Sequence, residues 1–163
     1  MTMTRFVGGA ACLLMGGLTL GVMAQANETP ITVTTHPIEL ETDSCMESGN
    51  WTTQAMRDCA SEAQSAWNDE IERLASVLER VLGGEAVEAL EQAQAAWRTS
   101  RDADFELIGA YHAELYRAEL GGGTLGPLSE QLHRNAVLRD RALQLQRYLD
   151  ALEELNPPEE VAE

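Results

Sequence analysis

In the stretch Ala93-Gln94-Ala95-Ala96-Trp97-Arg98-Thr99-Ser100-Arg101-Asp102-Ala103-Asp104-Phe105, Trp97 and Arg101 stand four residues apart. A helix sets such a pair on one face, one turn from each other. The guanidinium is then placed to cover the indole, or to fork onto a carboxylate from a neighbouring helix. Trp97 reads as core and Arg101 as a structural clamp.

The same periodicity runs outward in both directions. Ala86, Leu90, Ala93, Trp97, Ser100, Ala103, Leu107, Tyr111 and Leu115 recur at three and four, as one helical face requires. Upstream, Met56, Cys59, Ala63, Trp67, Ile71, Leu74, Leu78 and Val81 form another stripe, with Thr52 or Thr53 able to cap its first turn. Gly83-Gly84 reads as a C-terminal glycine stop for that helix. Downstream, Gly121 to Pro127 is the most glycine-dense part of the chain past the leader. A third stripe follows, taking Leu128, Leu132, Asn135 or Ala136, Leu138, Ala142, Leu145, Leu149 and Leu152, until Asn156-Pro157-Pro158 ends it. The expected fold is all-α: an antiparallel bundle of three long amphipathic helices over residues 45–155, with a disulfide-stapled N-terminal segment. Heptad-like regularity also permits a coiled-coil homodimer that buries the same stripes.

The two ends read differently. Residues 1–26 have the form of a signal peptide: Arg5 as the basic n-region, an apolar run from Phe6 to Met23, and the small-x-small site Ala24-Gln25-Ala26. The run borders on membrane-spanning length, but its five glycines and the cleavage site favour removal, which leaves no stable membrane insertion. Cys12 lies inside this run and is discarded with it. The protein is therefore expected in the periplasm or secreted. Residues 27–44 are rich in Thr, Pro and Glu, and Pro30 and Pro37 argue against a helix there. They read as a flexible arm or, at Ile31-Thr32-Val33-Thr34, a short edge strand. Residues 156–163 form an acidic tail. Cys45 and Cys59 remain after cleavage, and an even pair in an exported chain is most simply a disulfide. It closes a loop of about 15 residues and staples the segment before the first long helix back onto its start.

The 163-residue chain has 11 basic against 27 acidic residues, a net charge of −16. Losing Arg5 with the leader makes it −17, and no lysine occurs anywhere. Nucleic acid and anionic lipid are repelled by such a field, whereas a cationic protein is steered toward it. Adaptation to salt or simple solubility gives the same composition. Nothing in the chain builds a catalytic constellation. The histidines His36, His112 and His133 pair with no nucleophile motif, and G-x-S-x-G, H-E-x-x-H and phosphate-loop patterns are absent from the sequence. His112 and His133 read as solvated or capping residues. Asp102 and Asp104 read as a solvated acidic face rather than a cation site. No cofactor or metal is expected.

Ala93, Gln94, Trp97, Arg101 and Asp102 match the A-Q-x-x-W-x-x-x-R-D block of the LprI-like lysozyme-inhibitor family, which this chain resembles over roughly Cys45 to Leu145. Cys45 followed by Thr53, Met56 and Cys59, the turn Gly122-Gly123-Thr124, and Arg141 with Leu145 match further pieces in the same order. The resemblance implies a small, secreted, cysteine-stapled helical domain that inhibits lysozyme without chemistry of its own. Gln94, Trp97, Arg101, Asp102 and Arg141 would then be structural family residues. The glycine loop at Gly121, Gly122, Gly123 and Thr124 is the candidate for entering a lysozyme cleft, since loops on rigid helices commonly carry binding; a plain inter-helix turn is the alternative reading of those glycines. One departure stands out. The family's second cysteine pair is missing: Phe105 occupies one place, and the other falls near His133. Phe105 offers apolar burial in place of that link. The rival expectation is a structural or interaction module of the cell envelope, dimeric through its helix stripes, with no lysozyme partner.

Overall fold

A computed structural model of the chain describes residues 35–118 and 123–155, and these are all-helical. The four helices are α1 (Pro37–Ser48), α2 (Thr53–Val81), α3 (Gly84–Arg117) and α4 (Gly126–Leu155). The three long helices occupy the three stripes. The fourth is a correction: α1 begins at Pro37, inside the stretch expected to be a flexible arm. Proline is disfavoured in a helix interior but suits the first position, where its missing N–H has no partner to lose. His36 provides the cap. Its Nδ1 accepts from the Ile38 amide at 3.2 Å, while the His36 amide donates to Glu39 Oε2 at 3.2 Å. The leader 1–26, the piece 27–34 and the tail 156–163 lie outside the described residues.

The staple forms as expected. Cys45 and Cys59 are disulfide-bonded with Cα atoms 5.9 Å apart, joining α1 to the second turn of α2. Between them the chain reverses tightly, with Asn50 and Trp51 both left-handed at φ 51° and 54°. That conformation is uncommon for a bulky residue. The Trp51 amide donates to the Met46 carbonyl at 3.0 Å and holds the turn in place. Gly49 is required there: a Cβ on it would stand 2.3 Å from that of Ala55.

Thr52 caps α2 by accepting from the Ala55 amide at 3.3 Å. Its buried stripe, from Ala63 through Trp67, Ile71 and Leu74 to Leu78, packs against Leu138, Ala142, Leu145 and Leu149 of α4. Leu74, Leu78, Leu138 and Leu145 are fully buried, and each such side chain stabilises by about 1.5–3 kcal/mol. Met46, Ala60 and Leu128 form a second cluster with the disulfide. Asn135 Nδ2 donates to the Ala60 carbonyl at 2.8 Å, and Gln131 reaches Gln64 at 2.7 Å. Arg57 of α2 shares a cleft with Glu130 of α4 at one end and Leu78 shares one with Leu152 at the other, so these two helices run in the same direction, while α3, joined to α4 by Gln94–Arg141 and His112–His133, runs in reverse.

Two expectations about α3 need correction. Gly83-Gly84 does not end α2 as a left-handed cap. Leu82 (φ −85°, ψ 153°) and Gly83 (φ −84°, ψ 169°) are both extended, and Gly83 is the N-cap of α3. The buried face of α3 also differs from the apolar stripe. Leu90, Gln94 and His112 are buried, with Trp97, Arg101 and Phe105 half-buried along the same line. Ala86, Ala93, Ser100, Ala103, Leu107 and Tyr111 face outward. Polar side chains that find partners on α4 have displaced the small apolar ones.

Candidate functional site

The motif residues converge where α3 meets α4. Gln94 is buried, and its Oε1 accepts from Arg141 Nε at 2.8 Å and again from Nη2. Arg141 Nη1 donates to Gln144 Oε1 at 2.7 Å. Both motif arginines approach the Trp97 ring: the guanidinium carbon of Arg101 lies 5.3 Å from its centroid, that of Arg141 5.6 Å. The expected cover of the indole by Arg101 is present. Its carboxylate partner, however, is the adjacent Asp102 on the same helix, at 2.9 and 2.7 Å, rather than a residue of a neighbouring helix. Burial holds Arg141 below its ordinary pKa, opposed by the nearby Tyr148. Among the described residues Arg141 forms no ion pair. Its charge is accommodated by two amides and an indole.

Further along the same seam stand the two places where the cysteine bridge is missing. Phe105 is half-buried against the core, and the Arg134 guanidinium covers its ring at 5.5 Å, one residue from His133. A cation–π contact thus spans the helices near where a covalent link is lacking. His112 is buried rather than solvated, and its Nε2 meets His133 Nδ1 at 3.0 Å. Sequence reading missed this pair because its members lie 21 residues apart across the loop. The slip of the α3 face, visible in the spacing of Gln94, Arg101 and His112, is the signal that would have placed His112 inward. No group of three or more metal-ligating side chains occurs among the described residues.

At the α3–α4 loop, Gly121 and Gly122 lie outside the described residues, while Gly123 and Thr124 are described. Gly123 has φ +86°, a conformation that favours glycine. Beside it a cavity of about 420 Å³ is lined by Gly109, His112, Tyr116, Gly123, Pro127 and Glu130. Tyr116 and Leu125 are largely exposed at this end, at 75% and 54%. Asp102 and Asp104 are exposed, as expected of a solvated acidic face. No described helix is long and apolar enough to cross a membrane.

These features define a small all-α domain, stapled by one disulfide and clamped through a buried Gln–Arg–Trp seam. The family model for lysozyme inhibitor LprI matches residues 45–145, from the first staple cysteine to the middle of α4. The chain belongs to the LprI lysozyme-inhibitor family. No curated protein and no solved structure matches it.

Proposed function

We propose that this protein acts outside the cytoplasm, binds lysozyme and inhibits it by occluding its cleft, with no catalysis of its own. The observation that carries this reading is the family match over residues 45–145, which spans the staple, α2, α3 and most of α4. Charge supports it: a net −16 attracts a cationic protein and speeds encounter at low salt. The contact element we assign is the α3–α4 loop from Gly121 to Pro127, which includes Leu125, together with Tyr116 at the end of α3. Loops held by rigid helices commonly carry binding, and exposed aromatics anchor interfaces. The Gln94–Trp97–Arg101–Arg141 seam then holds in register the two helices, α3 and α4, that flank the loop.

Turbidity loss of a cell-wall suspension under several lysozyme classes, with and without purified mature protein, tests the function. Slowing at near-stoichiometric inhibitor, weakening as salt rises, is the expected result. Full lysozyme activity at a large excess of the protein, across all classes, would sink the proposal. A Tyr116→Ala/Leu125→Asp variant is expected to inhibit at least tenfold more weakly with an unchanged melting temperature.

A further inference from the structure

At the bundle end away from the glycine loop, α2, α3 and α4 leave a groove of about 440 Å³. Leu78, Leu82, Ala86, Ala89, Leu90 and Leu155 supply its apolar walls. Its concavity follows from the displaced face of α3, whose small residues Ala86, Ala89 and Ala93 look outward instead of packing on α4. Arg141, Gln144 and Tyr148 also line it and give it one polar, cationic end. There Arg141 is buried, its guanidinium is held by neutral amides, and it forms no ion pair among the described residues. Gln144 Nε2 lies 3.4 Å from the Tyr148 hydroxyl at the same end.

We propose that this groove binds a free long-chain carboxylate, a single fatty acid, with its head group at Arg141, Gln144 and Tyr148. The planar fork of a guanidinium matches a carboxylate, and a charge-assisted bond in a partly desolvated site is stronger than one to an amide. From Arg141 to Leu155, α4 rises about 20 Å, the length of an extended acyl chain. Charge selects among occupants. A second copy brings another net −16 against this one, and an anionic bilayer surface is likewise repelled, whereas a fatty acid carries only one charge into that field and meets Arg141, which forms no ion pair among the described residues. Residues 156–163 contain Val161 as their only sizeable aliphatic side chain beside three glutamates, which is too little apolar surface to fill the walls.

Displacement of fluorescent cis-parinarate from the mature protein, with competitors kept below their micelle concentrations, tests the assignment. Dodecanoate is expected to compete saturably at one site, and dodecanol and dodecyltrimethylammonium at least tenfold more weakly. Gln144→Glu supplies Arg141 with a carboxylate of its own and is expected to weaken dodecanoate at least tenfold while leaving dodecanol unchanged. Ala89→Trp, at an exposed position, is expected to abolish binding of both without lowering the melting temperature. Absence of saturable binding would overturn the proposal, as would equal affinity for all three head groups or indifference to Ala89→Trp. A dimer by light scattering that Ala89→Trp dissociates would also overturn it, by giving the groove to a second copy. Lysozyme inhibition by Ala89→Trp is expected to match wild type, because the groove and the glycine loop lie at opposite ends of α3.

Discussion

Gln94 offers the sharpest test of what holds α3 to α4. Its single amide oxygen accepts from two nitrogens of Arg141, and both side chains are more than nine-tenths buried. Gln94→Leu keeps nearly the same volume but removes the acceptor. Hydrogen bonds to a charged group contribute about 1.5–3 kcal/mol, and a buried donor left unpaired bears its full desolvation cost. Arg141 keeps its bond to Gln144, so the two losses do not add, and a destabilisation of roughly 2–4 kcal/mol follows. At about 3–6 °C per kcal/mol for a domain of this size, the melting temperature falls by about 10 °C. Gln94→Glu separates the acceptor from the side chain that bears it. An ion pair at contact is worth about 4 kcal/mol at an effective dielectric of 20, and desolvation of the carboxylate offsets most of that. Stability at pH 7 is therefore expected within about 1 kcal/mol of wild type. The introduced carboxyl has a folded pKa depressed by Arg141, so its contribution is present above the unfolded value. It disappears as pH falls through the folded one. Urea denaturation from pH 7 to pH 3 should show Gln94→Glu losing more stability than wild type, and Gln94→Leu uniformly low. A Gln94→Leu melting temperature within 2 °C of wild type would refute the clamp. So would a Gln94→Glu protein as unstable as Gln94→Leu at pH 7 with no added acid sensitivity.

Three other outcomes are expected. Replacing Cys45 and Cys59 together by alanine frees a loop of about 15 residues and should cost roughly 3 kcal/mol, read by thermal melts with and without reductant; equal melting of oxidised and reduced wild type would contradict it. The Arg73 guanidinium bonded to Glu70, aided by His36 and opposed by burial, holds the Glu70 carboxyl below its ordinary 4.5. Its stabilisation is thus present above that value and lost as pH falls through the lower folded one, so Glu70→Gln should flatten the stability profile in that acid window and leave the slope above pH 6 unchanged. Gly49→Ala places a Cβ 2.3 Å from Ala55 Cβ and should cost about 1–3 kcal/mol. In contrast, Gly109→Ala meets only ordinary contacts at 3.7 and 3.9 Å inside α3 and should stabilise by about 0.5–1 kcal/mol; chemical denaturation that gave both the same sign would be inconsistent with this packing.

The difference between legible and illegible features follows from where each residue's partner lies. Apart from Val81 and Leu132, which are exposed at 55% and 42%, the faces of α2 and α4 could be read because large aliphatic residues carry them: Ile71, Leu74 and Leu78 have no reason to point anywhere but inward. The α3 face could not be read by apolarity, because its inward line runs through Gln94, Arg101 and His112. Those side chains are tolerated inside only because Arg141, Trp97 and His133 receive them. Alanine repeats at Ala86 and Ala93 imitate a core stripe while having little surface to bury, so a satisfied polar network outweighs them. Pro37 misled for a related reason: its meaning depends on whether a cap precedes it, and a histidine cap with Glu39 is a rarer signal than Ser, Thr or Asp. In the candidate site, the motif residues Gln94, Trp97, Arg101 and Arg141 were all named from sequence, yet the bond between Gln94 and Arg141 spans 47 positions and no local spacing encodes it. The family motif thus records, in two separate helices, the two halves of one buried contact. The displacement of α3 that this contact enforces is also what leaves the alanine face open as a groove.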